Sequence, residues 1–222
     1  MRCLEAAILT GQTEQHLQCL GRYKMQPAVA TAFCAMQAAA ATDGFDLQPA
    51  SAFRDFARQQ CIWNEKFIGK RPVLDAQSQP IDVSELTEQQ RCEAILRWSA
   101  LPGASRHHWG TDLDIYDPTR LPKESKLQLE PWEYESGGYF AELAQWLNQH
   151  MAEFDFYLPF AHPQNRVAFE PWHISYRPIA QNYANLFSPS LLISAWENQH
   201  VEGKAWLTEH IEQIFHDYVV SQ

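Results

Sequence analysis

Apolar residues fall into stretches of helical period, one stretch of strict alternation, and several proline-broken connections. Residues 27–41 (PAVATAFCAMQAAAA) are strong helix formers behind a proline suited to a first turn, and they stop at Asp43-Gly44. Phe45 to Phe53 reads as extended. From Arg54 to Ile68, Phe56, Gln60, Trp63 and Phe67 recur near helical spacing, and Gly69 ends the run. Thr87 followed by Gln90 is a capping-box pattern that opens a helix reaching Trp98. Thr111 to Tyr116 (TDLDIY) alternates polar and apolar residues as a strand does, and Asp117-Pro118 ends it. Residues 118–135 carry three prolines among mixed charges and read as a loop or lid. A helix is expected after Ser136, a strand over Val167 to Tyr176, and two helices between Ser188 and Val220 around Glu202-Gly203. Long helices and separate strands without regular alternation indicate an α+β fold.

The chain has 222 residues, which one domain can fill. Its 8 Trp, 8 Tyr and 12 Phe supply a sizeable core, which excludes a disordered or fibrous chain. Seventeen basic against 27 acidic residues give a formal charge of −10, which argues against nucleic acid or anionic lipid as a partner. Five widely spaced cysteines (Cys3, Cys19, Cys34, Cys61, Cys92) form no CxxC pair and read as reduced thiols. The first twenty residues lack the layout of a signal peptide, and the most apolar stretch is too short to span a bilayer. A cytoplasmic protein with no membrane span is expected; the oligomeric state is left open.

Absences prune the chemistry. GxGxxG, GxxxxGK[ST], HExxH and GxSxG do not occur, and no lysine has a serine three residues before it. A serine hydrolase is therefore the weakest reading. Two segments remain. In LPGASRHHWGTDLDI (101–115), adjacent histidines precede a carboxylate seven residues after His107. A loop leading into a strand would let imidazole and carboxylate converge on one cation while Leu113 and Ile115 face the core, although a solvated surface pair fits the same spacing. In VAFEPWHISY (167–176), Glu170 and His173 lie three apart across Pro171, whose bend would bring both to one side; a strand edge with an aromatic anchor is the plainer alternative. A catalytic zinc site takes three protein ligands and a nearby carboxylate base, which His107, Asp114 and His173 with Glu170 would supply. His108 is not expected to be a ligand. Asp112, on the face of Asp114, is open to three roles: approaching the metal, orienting His107 or His108, or pairing with Arg54 or Arg106.

SRHHWGTDLD with FEPWH resembles the VanY-type zinc D-alanyl-D-alanine carboxypeptidases, within the group that includes lysostaphin-like enzymes, D-Ala-D-Ala dipeptidases and hedgehog domains. The pattern SxHxxGxAxD…ExxH is met by Ser105, His107, Gly110, Asp114, Glu170 and His173, with Asp112 in the alanine position. Ser51-Ala52-Phe53-Arg54-Asp55-Phe56 resembles the family's SxxR element. The resemblance covers roughly residues 45–177, with helical extensions at both ends that carry no motif, all within one metallopeptidase domain. It implies a small antiparallel sheet carrying a zinc site (His107, Asp114, His173), Glu170 as catalytic base, and Arg54 on the substrate's carbonyl oxygen or terminal carboxylate. Ser105 would donate to that carboxylate; Trp109 and Trp172 either shape the substrate pocket or pack in the core or the pocket wall. The implied reaction is hydrolysis next to a D-amino acid in peptidoglycan peptides or precursors. An L,D-carboxypeptidase of recycled muropeptides and a non-catalytic zinc-containing binding module are the alternatives; a structural metal would need neither Glu170 nor Arg54.

Overall fold

A computed structural model describes residues 2–162 and 165–220. Helix α1 (Arg2–Leu9) leads to a hairpin of β1 (Gln18–Leu20) and β2 (Tyr23–Met25), neither of which the apolar pattern announces. Next come α2 (Pro27–Thr42), β3 (Gln48–Ser51) and α3 (Phe56–Phe67). Arg54 lies ahead of α3 because Asp55 caps the helix, its carboxylate accepting from Arg58 N at 2.7 Å. The buried face of α3 is Phe56, Gln59, Trp63 and Phe67, so the polar member of the stripe is Gln59 rather than Gln60.

A small hairpin, β4 (Val73–Leu74) with β5 (Pro80–Ile81), precedes α4 (Glu88–Leu96), where Thr87 and Gln90 form the reciprocal capping box. Strand β6 (Asp112–Tyr116) follows, then a connection that stays irregular apart from one turn, α5 (Pro131–Tyr134). Helix α6 (Ala141–His150), β7 (Phe156–Tyr157) and β8 (His173–Tyr176) come next. The strand expected from Val167 begins only at His173, because Pro171 and Trp172 form a turn, with His173 N bonded to Glu170 O at 3.1 Å. Four helices close the chain, α7 (Arg177–Leu186), α8 (Pro189–Ala195), α9 (Lys204–Glu209) and α10 (Ile211–Phe215), ending in a π-helical turn over His216–Val220. Between Ser188 and Val220 the sequence pattern reads two helices where three and the final turn stand, and it does not announce α7.

The central sheet is antiparallel, in the order β3-β6-β8-β7. One of its faces is apolar: Leu113, Ile115 and Ile174 are fully buried in a cluster with Phe33 and Met36 of α2 and Leu143 and Leu147 of α6. A second cluster joins Trp63 and Phe67 of α3 and Ile95 of α4 to Trp196, Leu207 and Ile214 of the C-terminal helices. Indole N–H groups tie that region together, Trp196 Nε1 donating to Pro102 O in the segment before His107 at 2.7 Å and Trp63 Nε1 of α3 to Glu202 O ahead of α9 at 2.9 Å. None of the five cysteines is in a disulfide. No described helix is long and apolar enough to cross a membrane.

Residues 106–109 form a 3-10 turn rather than an open loop, and Gly110 ends it at φ +66° before the chain enters β6. This left-handed residue sets the path from His107 to Asp114. A Cβ there would also lie 2.3 Å from Leu17 Cδ2. Gly110→Ala is expected to lower stability by about 1–2 kcal/mol, as measured by denaturant unfolding.

Candidate metal centre

The polar face of the sheet delivers its side chains in rows. Cross-strand register sets Asp114 opposite Ser51 on one side and His173 on the other, and Asp112 opposite Ser175. Alternation along β6 sends Leu113 and Ile115 to the core and both aspartates to this face. The 3-10 turn brings His107 over the first row. One donor atom each from His107, Asp114 and His173 lies within 4.8 Å of the others, and all three side chains are buried.

Hydrogen bonds behind these residues fix which atoms face inward. His107 Nδ1 donates to Ala52 O at 2.8 Å, which leaves Nε2, 3.3 Å from Asp114 Oδ2, with its lone pair. His173 Nε2 donates to Asp112 Oδ1 at 2.9 Å, and Nδ1 faces Asp114 Oδ1 at 3.2 Å and Glu170 Oε2 at 3.3 Å. Asp114 Oδ2 accepts from Ser51 Oγ, while Oδ1 is buried without a hydrogen bond among the described residues. That orphaned oxygen, two imidazole nitrogens free to point at it and a surplus of carboxylates suit a divalent cation. The site would hold it through His107 Nε2, the Asp114 carboxylate and His173 Nδ1.

Asp112 orients His173, not His107 or His108, and it pairs with Arg106, whose Nε donates to Asp112 Oδ1 at 2.8 Å. Arg106 Nη2 donates to Tyr157 OH and Ser175 Oγ, each at 2.8 Å, and Ser175 Oγ donates to Asp112 Oδ2 at 3.1 Å. Burial alone would raise the Asp112 carboxyl, but the Arg106 charge and the His173 hydrogen bond outweigh it and hold the group well below the usual carboxylate range. Burial likewise opposes charge on His173, yet the surrounding carboxylates of Asp112, Asp114 and Glu170 carry it well above its usual value.

Arg54 enters the site from the other side. Its Nη1 donates to Gln59 Oε1 at 2.7 Å, and Gln59 is anchored in turn by donating to Ala100 O at 2.6 Å. Burial pulls the guanidinium below its usual value, with Asp114 and Glu170 opposing. Arg54, Ser105, Glu170 and the three metal-facing residues line a cavity of about 550 Å³, whose walls also include Lys66 and, from the C-terminal turn, Tyr218 and Val219. Trp172 backs this cavity. Trp109 does not line it: the ring is 3% exposed, donates to Leu9 O at 3.1 Å and packs on Tyr183 and Phe187, so its expected place in the substrate pocket is corrected to the core. The connection read as a loop or lid contributes Gln128, Leu129 and Glu130 to the wall. It is held there by the buried Glu133 carboxylate, which accepts from Gln128 N at 3.2 Å and Glu130 N at 3.1 Å.

Gln59 and the C-terminal turn were not read as site residues from the sequence, Arg106 was named there only as one candidate partner of Asp112, and Ser51 only as the first residue of the SxxR element. Gln59 alone left a local signal, at a buried helical position five residues after Arg54. The fold matches VanYB solved in complex with D-alanine-D-alanine, with TM-score 0.53 and 22% identity over 83% of this chain and 89% of that one. It also matches the LdcB LD-carboxypeptidase, with TM-score 0.51 and 20% identity over 83% and 73%. A VanY D,D-pentapeptidase mutant solved with Zn(II) matches with TM-score 0.53 and 22% identity over 82% and 92%. The family model for VanY, D-alanyl-D-alanine carboxypeptidase, covers residues 22–179, and the chain belongs to that family. Two uncharacterised proteins of Haemophilus influenzae are 51% identical over 122 residues (54% of this chain, 93% of the relative) and 48% identical over 103 residues (44% and 70%).

His108 sits behind this site as a neutral brace. Its Nδ1 donates to Arg54 O at 2.5 Å and its Nε2 accepts from Gly103 N at 3.1 Å. Burial pushes it from 6.5 down to about 3, against the raising effect of the Arg54 carbonyl. The unfolded chain therefore takes up a proton that the folded chain refuses. The resulting stability is present above pH 6.5 and lost as pH falls toward 3. His108→Gln should remove up to about 1.4 kcal/mol per pH unit from the slope of stability against pH in that window, measured by denaturant titration of both proteins.

Proposed function

We propose that this chain is a zinc-dependent carboxypeptidase that hydrolyses the peptide bond before a C-terminal D-amino acid, of the D-Ala-D-Ala type, in peptidoglycan peptides or their precursors. The observation that carries the reading is the convergence of His107 Nε2, Asp114 and His173 Nδ1 beside Glu170, in the cavity that also holds Arg54. Membership of the VanY family supports the reaction class.

Zinc, when bound, supplies Lewis acidity that makes water a nucleophile near neutral pH and polarises the scissile carbonyl. The chain's residues supply the rest. Glu170 Oε2, 3.3 Å from His173 Nδ1, borders the metal locus, where it takes a proton from the attacking water. The same carboxyl returns that proton to the amine nitrogen as the C–N bond breaks, so no outside acid is needed. Arg54, held by Gln59, offers a charged fork to the substrate's carbonyl oxygen or C-terminal carboxylate. Ser105 lines the same wall and offers a hydroxyl. The protein's acidic balance makes such local cations necessary for an anionic substrate.

Glu170→Ala should keep one zinc per chain while D-alanine release falls by roughly 10²- to 10⁴-fold. Elemental analysis and an amino-acid release assay on pentapeptide and tetrapeptide muropeptides check this and also separate D,D- from L,D-cleavage. Undiminished release by the variant would overturn the role of Glu170, and stoichiometric zinc with no release by the native protein would favour a binding module.

A further inference from the structure

Helix α3 presents Gln59, Ile62 and Lys66 at i, i+3 and i+7, along one face. Gln59 is committed to Arg54 and Ala100, while Ile62 and Lys66 both line the cavity. Lys66 Nζ donates to Ser99 Oγ at 2.7 Å, and among the described residues it ion-pairs with no carboxylate. The neighbouring Arg71 does have a partner, Glu65. An ammonium group withdrawn from water without a counter-ion is costly. Burial pulls Lys66 from 10.5 down to about 8; Glu170 opposes this, and Arg54 and Arg71 add to it. This wall thus holds two cations, Arg54 just ahead of α3 and Lys66 on it, that make no ion pair with a carboxylate among the described residues, in a chain whose net charge is −10.

Their separation decides what they hold. Seven residues of helix place Lys66 roughly 10 Å along the axis from Gln59, the residue that grips Arg54. That distance is shortened somewhat by the lean of side chains toward the helix N-terminus. It is too wide for one carboxylate and suits two carried on adjacent parts of an extended peptide, with Ile62 between them. Arg54 and Lys66 both border the cavity, Arg54 from the chain just ahead of α3 and Lys66 from the last turn of that helix. We propose that Lys66 and Ser99 form a second anion subsite that takes a side-chain carboxylate of the substrate peptide, one or two residues upstream of the scissile bond. The inference rests on the peptidase reading above: a carboxypeptidase leaves one residue downstream, and D-alanine there has no acidic side chain.

The test compares acetyl-L-Glu-D-Ala with acetyl-L-Gln-D-Ala, and acetyl-L-Glu-D-Ala-D-Ala with acetyl-L-Gln-D-Ala-D-Ala, on zinc-loaded protein. Within the pair that is cleaved, the native protein should favour the Glu peptide in kcat/KM by roughly 10- to 100-fold. Lys66→Met should bring that ratio to within about twofold of one, and Lys66→Arg should keep most of it. A native ratio near one, a ratio that survives Lys66→Met, or equal losses on both peptides would overturn the subsite. Equilibrium binding of the same peptides to Glu170→Ala protein, with and without Lys66→Met, gives a second readout. If the native protein releases D-alanine from none of the four, the peptidase reading fails and binding alone judges Lys66. A Glu-over-Gln preference that Lys66→Met abolishes upholds the subsite, and no preference overturns it.

Discussion

The site depends on one constraint: three lone pairs must meet at a point inside the protein, so every other polar atom of the three side chains has to be tied elsewhere. His107 spends Nδ1–H on Ala52 O, His173 spends Nε2–H on Asp112, and Asp114 Oδ2 takes the Ser51 hydroxyl. Each of these bonds fixes a tautomer or a rotamer. Arg106 anchors the arrangement from behind by neutralising Asp112 and bonding Tyr157 and Ser175. Breaking such a buried pair by removing one partner costs about 3–5 kcal/mol, because the other charge is left without compensation. The support is thus part of the fold's stability as well as of the candidate metal centre.

The sheet makes this affordable by separating its faces. Leu113, Ile115 and Ile174 commit one face to the apolar cluster, so the register that buries them also lines up Ser51, Asp114 and His173 across three strands on the other. A slip of one residue would exchange the two faces. Helix α3 closes the opposite wall, with its apolar stripe held by the C-terminal helices and with Ile62 and Lys66 turned to the cavity. The C-terminal turn adds Tyr218 and Val219 to that wall from beyond the region matched by the family model.

Much of this was legible in the sequence where the signal is local. The capping box at Thr87 and Gln90, the alternation of TDLDIY and the helix read over residues 27–41 depend on neighbours a few positions apart, and they formed within a residue of the reading. The α+β class followed from them, and the resemblance supplied the VanY family. What sequence reading missed depends on partners far along the chain. Asp112 meets His173 61 residues away, and Arg106 meets Tyr157 51 residues away. Trp109 was open to a place in the substrate pocket or in the core, and the 3-10 turn that stands in place of a loop sets it in the core beside Tyr183 and Phe187. Val167 to Trp172 has the residues of a strand yet turns at Pro171, and that turn sets Glu170 beside His173.

The central claim is that this pocket is a metal centre with two nitrogen donors and one carboxylate from the chain. Zinc-edge X-ray absorption on protein loaded with one equivalent of zinc tests it most directly. The account predicts one tightly held zinc, two histidine nitrogens at about 2.0–2.1 Å and oxygen donors at about 2.0–2.2 Å, with no sulfur shell. Sulfur ligation from a cysteine, or zinc that remains bound with the same spectrum after His173→Ala, would contradict it.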